Sequence, residues 1–248
     1  MPSSDNNHIA AHWKNYWSKN TDGYHRFQSE DFLEKESKEK LFLLEGGNSL
    51  LDFGCGSADL LSYYSRVYDF CVGVDFSELL LEKAKERLQQ FGSLHKVQFI
   101  HADESQVWTQ IDNLPDKDRK FDRITAGQVI QYFDKEQVEK FICNSLNYLS
   151  EEGSICLFDV VDSRIFELWD AGLYEAGSFN SAVAFRLIIN RIRTLKRKIT
   201  KKPLSHYGYL YAPSYFESLA KQYNLKISIV NSMYYEYRYH VIIQTNCD

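Results

Sequence analysis

The 248-residue sequence predicts an α/β fold, in which a doubly wound and mostly parallel sheet of seven strands ends in an antiparallel C-terminal hairpin. Short runs rich in β-branched and aromatic residues alternate with helical stretches over the middle of the chain, which is typical of a parallel sheet covered on both faces. The last two apolar runs, 225–231 and 235–244, are separated by too short a connection for a helical crossover. They are therefore expected to pair antiparallel.

Five short apolar runs supply the predicted parallel strands. They are SLLDF (49–53), FCVGVDF (70–76), VQFIHA (97–102), FDRITA (121–126) and SICLFDVV (154–161). Because the parallel strands of such a sheet end at the same edge, we expect ligands at the carboxyl ends of these runs.

Helical signals fill the segments between and after the strands. Residues 77–91 begin at Ser77, a good N-cap, and residues 135–149 carry apolar side chains on one helical face. Pro213 is expected to open a further helix, to about residue 224, because proline's fixed φ and missing N–H cost least at the first helical position.

Composition excludes several classes of protein. The net charge of −5 argues against a protein that coats nucleic acid, and no apolar run approaches the ~20 residues of a transmembrane helix. The N-terminus lacks the charged-then-apolar pattern of a signal peptide. The five cysteines form no CxxC pair, and Cys55, Cys71 and Cys156 fall in or beside predicted strands. Reduced thiols, and with them a cytoplasmic protein, are expected.

A glycine turn follows the first predicted strand in the stretch LLDFGCGSADLL (50–61). Two cofactor classes use such a turn, and the dinucleotide fingerprint GxGxxG requires a third glycine where this chain has Asp59. A carboxylate there packs poorly and repels a diphosphate, and Asp52 adds a second negative charge at the mouth of the strand. These charges favour a ligand with a sulfonium and an ammonium group and no phosphate, as in S-adenosylmethionine.

Two further acidic residues stand at predicted strand ends. Asp75 follows Gly54 by 21 residues, where an acid accepts hydrogen bonds from ribose hydroxyls in both cofactor classes. Asp103, at the end of the third strand, is placed to accept a hydrogen bond from an adenine amino group. Together these acids predict an adenosine-type ligand.

The stretches LLDFGCGSADLL, VGVDFSELLLEKAKERL, VQFIHADE and FDRITAGQVIQYF resemble, in order and spacing, the successive motifs of the class I S-adenosylmethionine-dependent methyltransferases. The resemblance covers roughly residues 45 to 161 and implies a Rossmann-like fold, methyltransferase activity and S-adenosylmethionine as the cofactor. Ala58 departs from the family pattern by replacing its third glycine. Gln131-Tyr132 stands where many relatives have Glu-His, so no histidine base is available at that point.

The resemblance also implies a set of cofactor contacts. The glycine turn lines the methionine moiety, Asp75 holds the ribose, and residues after the second, third and fourth strands surround the adenine. The implied residues are Asp52, Gly54, Cys55, Gly56, Asp75, Phe76, Asp103, Glu104, Gln128 and Val129.

One domain over residues 1–248 is the simplest organisation, because no Pro-rich or Gly/Ser-rich linker divides the chain. Its expected parts are an N-terminal helical cap (1–40), a cofactor-binding core (41–162), a helical basic insertion (163–206), and a C-terminal helix with hairpin strands (207–248). In the cap, Trp13, Tyr16 and Trp17 either close over the cofactor or belong to a helix packed onto the core. Tyr16 is included among the expected cofactor contacts.

Candidates for the group that orients or deprotonates the methyl acceptor follow the insertion. They are His206, Tyr207 and Tyr209. No carboxylate cluster predicts a metal site.

Other polar residues near the predicted site have competing interpretations. His240 lies within a predicted strand, where packing is the better interpretation. Asp159 and Asp162, at the end of the fifth strand, either face the substrate or cap the next helix. Cys55 is expected to pack rather than to act as a nucleophile, because nothing nearby in sequence would lower its pKa.

A small molecule or sugar is the favoured methyl acceptor. The fourth-strand motif AGQVIQYF is not Asp/Asn-Pro-Pro-Tyr and no Pro-Cys pair is present, which disfavours exocyclic base amines and cytosine C5 as acceptors. O-methylation is favoured slightly over N-methylation. Two alternatives remain: a non-catalytic S-adenosylmethionine-binding partner protein, and an NAD(P)-dependent oxidoreductase. The sequence makes no prediction of the oligomeric state.

The insertion contains a strongly basic stretch. No acidic residue lies between Glu175 and Glu217, whereas residues 186–202 carry eight Lys or Arg, with apolar residues at three- and four-residue spacing. This pattern predicts a solvated helix that covers the pocket, or a surface for an acidic acceptor, an anionic membrane or RNA. An acidic acceptor is favoured among the last three, because an insertion after the fifth strand overhangs the carboxyl edge of the sheet.

Overall fold

The structure is a computed structural model that describes residues 15–17, 19–20, 29–115, 120–199 and 208–246. Its strands are β1 Ser49–Phe53, β2 Phe70–Asp75, β3 Val97–His101, β4 Phe121–Gly127, β5 Leu149–Val161, β6 Leu225–Asn231 and β7 Arg238–Thr245. They form one sheet in the order β3-β2-β1-β4-β5-β7-β6. The first five strands are parallel, and β7 pairs antiparallel with both β5 and β6. The predicted fold class is confirmed.

Helices cover both faces of this sheet and follow its strands in the expected alternation. In the described part of the chain they are α1 Glu30–Leu43, α2 Leu61–Val67, α3 Glu78–Gln90, α4 Val107–Asp112, α5 Lys135–Asn147, α6 Phe166–Asp170, α7 Leu173–Ala176, α8 Ser181–Ile199 and α9 Pro213–Gln222. Ser77 is the N-cap of α3, as predicted, and its Oγ accepts from Leu80 N. Asp134 caps α5 in a reciprocal capping box with Gln137.

Most strand and helix bounds agree with the sequence pattern to within two residues, but two strands begin elsewhere. The last strand, β7, begins at Arg238 rather than at residue 235. β1 and β6 have the predicted bounds, whereas β5 begins at Leu149 rather than at residue 154. Leu149 pairs with Phe121 across the sheet, and Phe121 N donates to Tyr148 O. This pairing takes the last residues of the predicted 135–149 helix into the sheet, so α5 ends at Asn147.

The hydrophobic core lies in two layers, one on each face of the sheet. Leu51 of β1 and Val72 of β2 belong to the larger cluster, and their neighbours Leu50 and Cys71 belong to the smaller one. Successive side chains of a strand point to opposite faces, so the two clusters are the two sides of the same sheet.

The insertion between β5 and α9 is helical, and its first part is anchored on the sheet by an apolar cluster of Val161, Phe166 and Tyr237. The long helix α8 carries a row of exposed apolar side chains, which leaves that face in solvent rather than over the pocket. They are Phe185, Ile188, Ile192, Leu195 and Ile199. Within the residues described here, no helix has the length and apolar character needed to cross a membrane.

Candidate active site

A cleft of about 800 Å³, open solvent at its mouth included, lies at the carboxyl ends of the first four strands. Eight of the predicted cofactor contacts line it: Gly54, Gly56, Asp75, Phe76, Asp103, Glu104, Gln128 and Val129. The topology brings these residues together because parallel strands deliver their following loops to one edge.

The glycine turn after β1 forms the floor between the first and fourth strands. Gly54 and Gly56 have φ angles of +73° and +56°. A Cβ on Gly54 would lie 2.4 Å from Val129 Cγ2, so only glycine allows the two loops to approach this closely. Ala58, which replaces the third glycine of the family pattern, also has a positive φ of +62°. The substitution therefore keeps the backbone conformation, at a strain of roughly 1–2 kcal/mol.

The carboxylate of Asp75, at the end of β2, connects the glycine turn to the start of α3. Its Oδ2 accepts from Gly56 N and its Oδ1 accepts from Ser77 N, both at 2.9 Å. The side chain is buried and lines the cleft. Each carboxylate oxygen can accept a second hydrogen bond, so the group can also receive hydroxyls of a bound ligand.

The residues after β3 form the far wall of the cleft. Asp103 accepts from Ser105 N at 3.0 Å and from Ser105 Oγ at 2.6 Å, which fixes the turn that follows the strand. Glu104 Oε1 accepts from Gln137 Nε2 at 3.3 Å, and this bond joins the wall to the first turn of α5. The carboxylates of Asp103 and Glu104 are therefore both held in this wall by hydrogen bonds from Ser105 and Gln137.

A second cavity, of about 490 Å³ with its open mouth, adjoins the cleft and shares Gly54 and Gln128 with it. Asp52 and Cys55 line this second cavity and not the cleft itself. Asp52 Oδ1 accepts a 2.7 Å hydrogen bond from Thr125 Oγ1. Burial, with the charges of Asp75 and Asp52, raises the pKa of the Cys55 thiol well above its usual value, so Cys55 stays protonated and packs.

The second cavity also contains residues that the sequence analysis missed, namely Glu36 of α1 and Tyr64 of α2. The Tyr64 hydroxyl is buried and has no hydrogen-bond partner among the described residues. Burial raises its pKa well above the usual value, so it remains a donor at neutral pH. The only sequence signal was its place on the buried face of the helix that follows the glycine turn.

Aromatic and polar residues missed by the sequence analysis also line the cleft. Tyr132 and Phe133 follow β4, and Gln137 comes from the start of α5. In the sequence, Tyr132 stands where many members of the family have a histidine beside the bound cofactor. This correspondence could have predicted that Tyr132 lies in the cleft wall.

The N-terminal segment reaches the cleft through Trp17. Its side chain is part of the cleft wall, and Trp17 O accepts a 2.9 Å hydrogen bond from Ser77 Oγ at the start of α3. Tyr16 does not line the cleft; its ring packs edge-on against Trp17 with centroids 5.0 Å apart. Tyr16 therefore positions Trp17, and Trp13 lies outside the described residues.

Of the three candidates for orienting the acceptor, His206 and Tyr207 lie outside the described residues. Tyr209 N donates to Gln131 O at 2.7 Å, which places it behind the cleft wall, although its side chain does not line the cleft. Burial, with the charge of Asp134, raises the pKa of its hydroxyl. A phenol held protonated can donate a hydrogen bond to an acceptor, but it is a poor general base.

Asp159 has neither of its expected roles, because it belongs to a buried ion cluster. Its Oδ2 lies 2.9 Å from Lys40 Nζ, and Lys40 Nζ lies 2.6 Å from Glu36 Oε1, with all three side chains almost fully buried. His240 packs in the same cluster, as predicted for a strand residue, and its Nδ1 accepts from Asp159 N at 3.1 Å. Asp162 does cap the next turn, since its Oδ1 accepts from Arg164 N at 2.8 Å.

Metal ligation has no candidate in the described ranges, where no three His, Cys, Asp or Glu side chains are grouped closely enough to hold an ion.

Residues 50–153 match a family model described as a methyltransferase domain. The fold, the cleft and this match place that segment in the class I S-adenosylmethionine-dependent methyltransferases, which confirms the resemblance and the predicted enzyme class.

Similarity to individual proteins is confined to part of their length. A 2-phytyl-1,4-naphtoquinone methyltransferase of Nostoc punctiforme is 38% identical over 96 residues, or 38% of this chain and 39% of that protein. A demethylmenaquinone methyltransferase of Staphylococcus saprophyticus is 33% identical over 87 residues, or 34% of this chain and 33% of that protein. The matched segment therefore spans a third to two fifths of these relatives.

Structural similarity covers more of the chain. The magnesium protoporphyrin IX methyltransferase of Synechocystis PCC 6803, solved with bound SAM, has a TM-score of 0.59 at 12% identity and covers 99% of each chain. At this identity the similarity establishes the fold alone.

Proposed function

We propose that the protein binds S-adenosylmethionine in the cleft and transfers its methyl group to a small-molecule acceptor. The observation that carries the proposal is the arrangement of Asp75 beside the glycine turn, where a Cβ on Gly54 would collide with Val129. When bound, S-adenosylmethionine supplies an electrophilic methyl group on a positively charged sulfur. The residues of the chain bind, orient and desolvate the reactants around that group.

The adenosine end of the cofactor fits the cleft. Asp75 already accepts one backbone N–H on each oxygen, and the remaining lone pairs can accept the two ribose hydroxyls. Phe76 and Val129 supply apolar walls for the adenine, and Asp103 is placed to accept from its amino group. These contacts select an adenosine without requiring a phosphate.

The positively charged methionine end of the cofactor suits the second cavity, which is lined by carboxylates. The three carboxylates are those of Asp52, Asp59 and Glu36. Lys40 Nζ lies 2.6 Å from Glu36 and Arg87 Nη1 lies 3.6 Å from Asp59. The charge that suits an ammonium or a sulfonium group and disfavours a diphosphate is therefore mainly that of Asp52.

The buried hydroxyl of Tyr64 is a hydrogen-bond donor without a partner in the described structure. The carboxylate of the cofactor's methionine end, bound in the second cavity, would accept its hydrogen bond. The cofactor would thus cross from the cleft to the second cavity over Gly54.

A small aromatic molecule is the acceptor class that the relatives' names support, since they refer to a naphthoquinone and to demethylmenaquinone. Within that class we infer a hydroxyl rather than an amine, because the motif after β4 lacks the Pro-Pro-Tyr pattern of amine methylation. His206, Tyr207 and Tyr209 remain our candidates for orienting the acceptor, because the backbone bond from Tyr209 N to Gln131 O brings this segment beside the cleft wall. Methyl transfer needs in-line approach more than a strong base.

The proposal is tested first by titration calorimetry with S-adenosylmethionine, S-adenosylhomocysteine and NAD. Binding of the first two and not of NAD is expected, and tight NAD binding with no response to the sulfonium compound would refute the assignment. Transfer of a labelled methyl group is then measured over phenols, quinols, amines and acidic sugars. Cofactor binding without transfer to any of these classes would favour the non-catalytic partner protein.

A further inference from the structure

The helix α8 carries an apolar stripe on a solvent-facing surface. We call it the α8 stripe; it comprises Phe185, Ile188, Ile192, Leu195 and Ile199. These side chains are between 58% and 75% exposed. Their spacing of three and four residues gathers them within about 80° of the helix circumference, since each residue turns the helix by about 100°. Five large apolar side chains thus form one continuous exposed surface.

The opposite face of α8 is the one that contacts the rest of the protein. Val183 is buried, and Leu187 and Asn190 are partly buried. Asn190 Nδ2 donates to Asp170 Oδ2 at 2.8 Å, which fixes α8 against the end of α6. These residues lie about 150° around the helix from the α8 stripe. The packing therefore holds the stripe outward.

The charged residues of α8 itself are all positive, and one of them, Arg191, has its Nε 3.9 Å from Glu167 Oε2 of α6. Arg191 and Lys196 flank the α8 stripe, Arg186 and Arg193 are also exposed, and the sequence has no acidic residue from 176 to 216. An exposed apolar stripe between basic flanks is the pattern of helices that lie in the interface of a membrane. At 19 residues α8 is about 28 Å long, and its charges prevent it from spanning.

We propose that α8 attaches the protein to an anionic bilayer, with the α8 stripe among the upper acyl chains and its Arg and Lys side chains on the lipid phosphates. A second copy of the chain is a poorer occupant, because a two-fold interface would bring two identical basic helices together. The inference goes beyond the proposed function and does not depend on what the cleft binds.

The segment that contains α8 is joined at both of its ends to the carboxyl edge of the sheet. The insertion leaves the sheet at Asp162, which forms a β-bridge with Tyr211 where the chain returns. At the same return, Tyr209 N bonds to Gln131 O beside the cleft wall. The membrane-binding helix is therefore part of the segment that departs and re-enters at the carboxyl edge, where the acceptor must enter.

The test is sedimentation of the full-length chain with vesicles of phosphatidylcholine alone and of phosphatidylcholine with 30% phosphatidylglycerol. We expect binding to the anionic vesicles, weaker binding at higher salt, and little binding to the neutral ones. Ile188→Asp with Ile192→Asp should lower the partition coefficient at least about tenfold. The matched control is Phe42→Asp with Met233→Asp, which removes two apolar side chains elsewhere that are even more exposed than Ile188 and Ile192, and it should leave binding unchanged.

Removing positive charges beside the α8 stripe gives a second, independent test of membrane binding. Arg193→Gln with Lys196→Gln should weaken binding to the anionic vesicles by roughly fivefold for each charge and reduce its salt dependence. Circular dichroism and calorimetry with S-adenosylmethionine should be unchanged in every variant, which separates this test from the test of the proposed function.

Several results would overturn the proposal. Absence of wild-type binding to anionic vesicles, equal binding to neutral vesicles, or equal loss in the control pair would each do so. A dimer in sedimentation velocity that dissociates in the Ile188/Ile192 variant, without vesicle binding, would assign the stripe to a second copy. Wild-type vesicle binding by the Arg193/Lys196 variant, with a raised KM for a soluble acidic acceptor, would assign the charges to that acceptor instead.

Discussion

Asp75 combines a structural and a binding role in one carboxylate, because it accepts the N–H groups of Gly56 and Ser77 while lining the cleft. Asp75→Ala should weaken S-adenosylmethionine binding by about ten- to a hundredfold, since hydrogen bonds to a charged group are worth roughly 1.5–3 kcal/mol. Calorimetry measures this directly. Asp69→Ala, at the exposed start of the same strand, is the matched control and should bind normally. Unchanged affinity in Asp75→Ala would mean that the adenosine lies elsewhere.

Tyr64 offers a test at the other end of the proposed cofactor. Tyr64→Phe removes a buried hydroxyl that has no partner in the described structure, so the folded state should lose nothing, while S-adenosylmethionine should bind about tenfold more weakly. Tyr68→Phe is the control, because its hydroxyl donates to Leu44 O at 2.6 Å. That variant should lose about 1 kcal/mol of stability and keep its affinity. Equal cofactor affinity in both variants would remove Tyr64 from the site.

The difference between these two residues explains what the sequence could predict. Asp75 could be found because it stands at a strand end, at a fixed distance from the glycines, in a pattern set by local geometry. Tyr64 and Glu36 reach the second cavity only through the way α2 and α1 pack on the sheet. Their contribution depends on tertiary packing, which no local spacing encodes.

At the scale of elements, a buried ion cluster joins α1 to the centre of the sheet. Lys40→Met would leave Glu36 and Asp159 as buried charges without their cation, which typically costs about 3–5 kcal/mol. Chemical denaturation would measure this loss of unfolding free energy. Lys38→Met is the control from the same helix, because its ion pair with Glu34 is exposed and its removal should change nothing measurable. Similar stability of both variants would show that the cluster contributes little.

The same cluster predicts how stability depends on pH. Burial raises the pKa of Asp159, but Lys40, His240 and Arg238 outweigh it and hold the value below the ordinary 3.8. Its contribution is therefore complete above pH ~4 and is lost as the pH falls through the lower folded-state value. Burial lowers the pKa of Lys40, but Asp159 and Glu36 raise it above 10.5, so that contribution is lost only in strong alkali. In Lys40→Met the buried carboxylates of Glu36 and Asp159 lose their cation and take up protons at higher pH than in the wild type. The stability difference between wild type and Lys40→Met should therefore be large at neutral pH and shrink as the pH falls; growth in acid would contradict the cluster.

Strand β1 and helix α8 show what a hydrophobic pattern can and cannot predict about a whole element. β1 has its predicted bounds because an apolar run bounded by a glycine turn has only one way to join the sheet. The apolar spacing of α8 correctly gave a helix, yet its apolar face is exposed while a more polar face docks. Periodicity identifies a face but not its partner, because the partner can lie outside the chain.

At the scale of the whole molecule, the family match covers the central part of the chain and leaves the segments on either side of it unmatched. Residues 50–153, which match the methyltransferase family model, contain nearly all of β1 to β4 and most of the residues that line the two cavities, although Trp17 and Glu36 lie outside this range. The insertion after β5 and the cap before β1 lie outside the match. The residues proposed to orient the acceptor and the helix proposed to attach to a membrane lie after β5, outside the match, whereas the motifs that predicted the cofactor lie within it.

The last prediction follows from the coupling of cofactor binding to folding. A ligand that binds only the folded chain at a hundred times its Kd adds about 2.7 kcal/mol of stability. For a domain of this length each kcal/mol raises Tm by roughly 2–4 °C, so S-adenosylmethionine or S-adenosylhomocysteine should raise Tm by roughly 5–10 °C. NAD at the same concentration should give no shift. Asp75→Ala, with its affinity lowered about ten- to a hundredfold, should lose roughly half to five sixths of the shift, while Asp69→Ala keeps it. Differential scanning calorimetry measures all four cases. A shift with NAD and none with the sulfonium cofactor would contradict the assignment, because only the ligand that fits the cleft can stabilise the strands that form it.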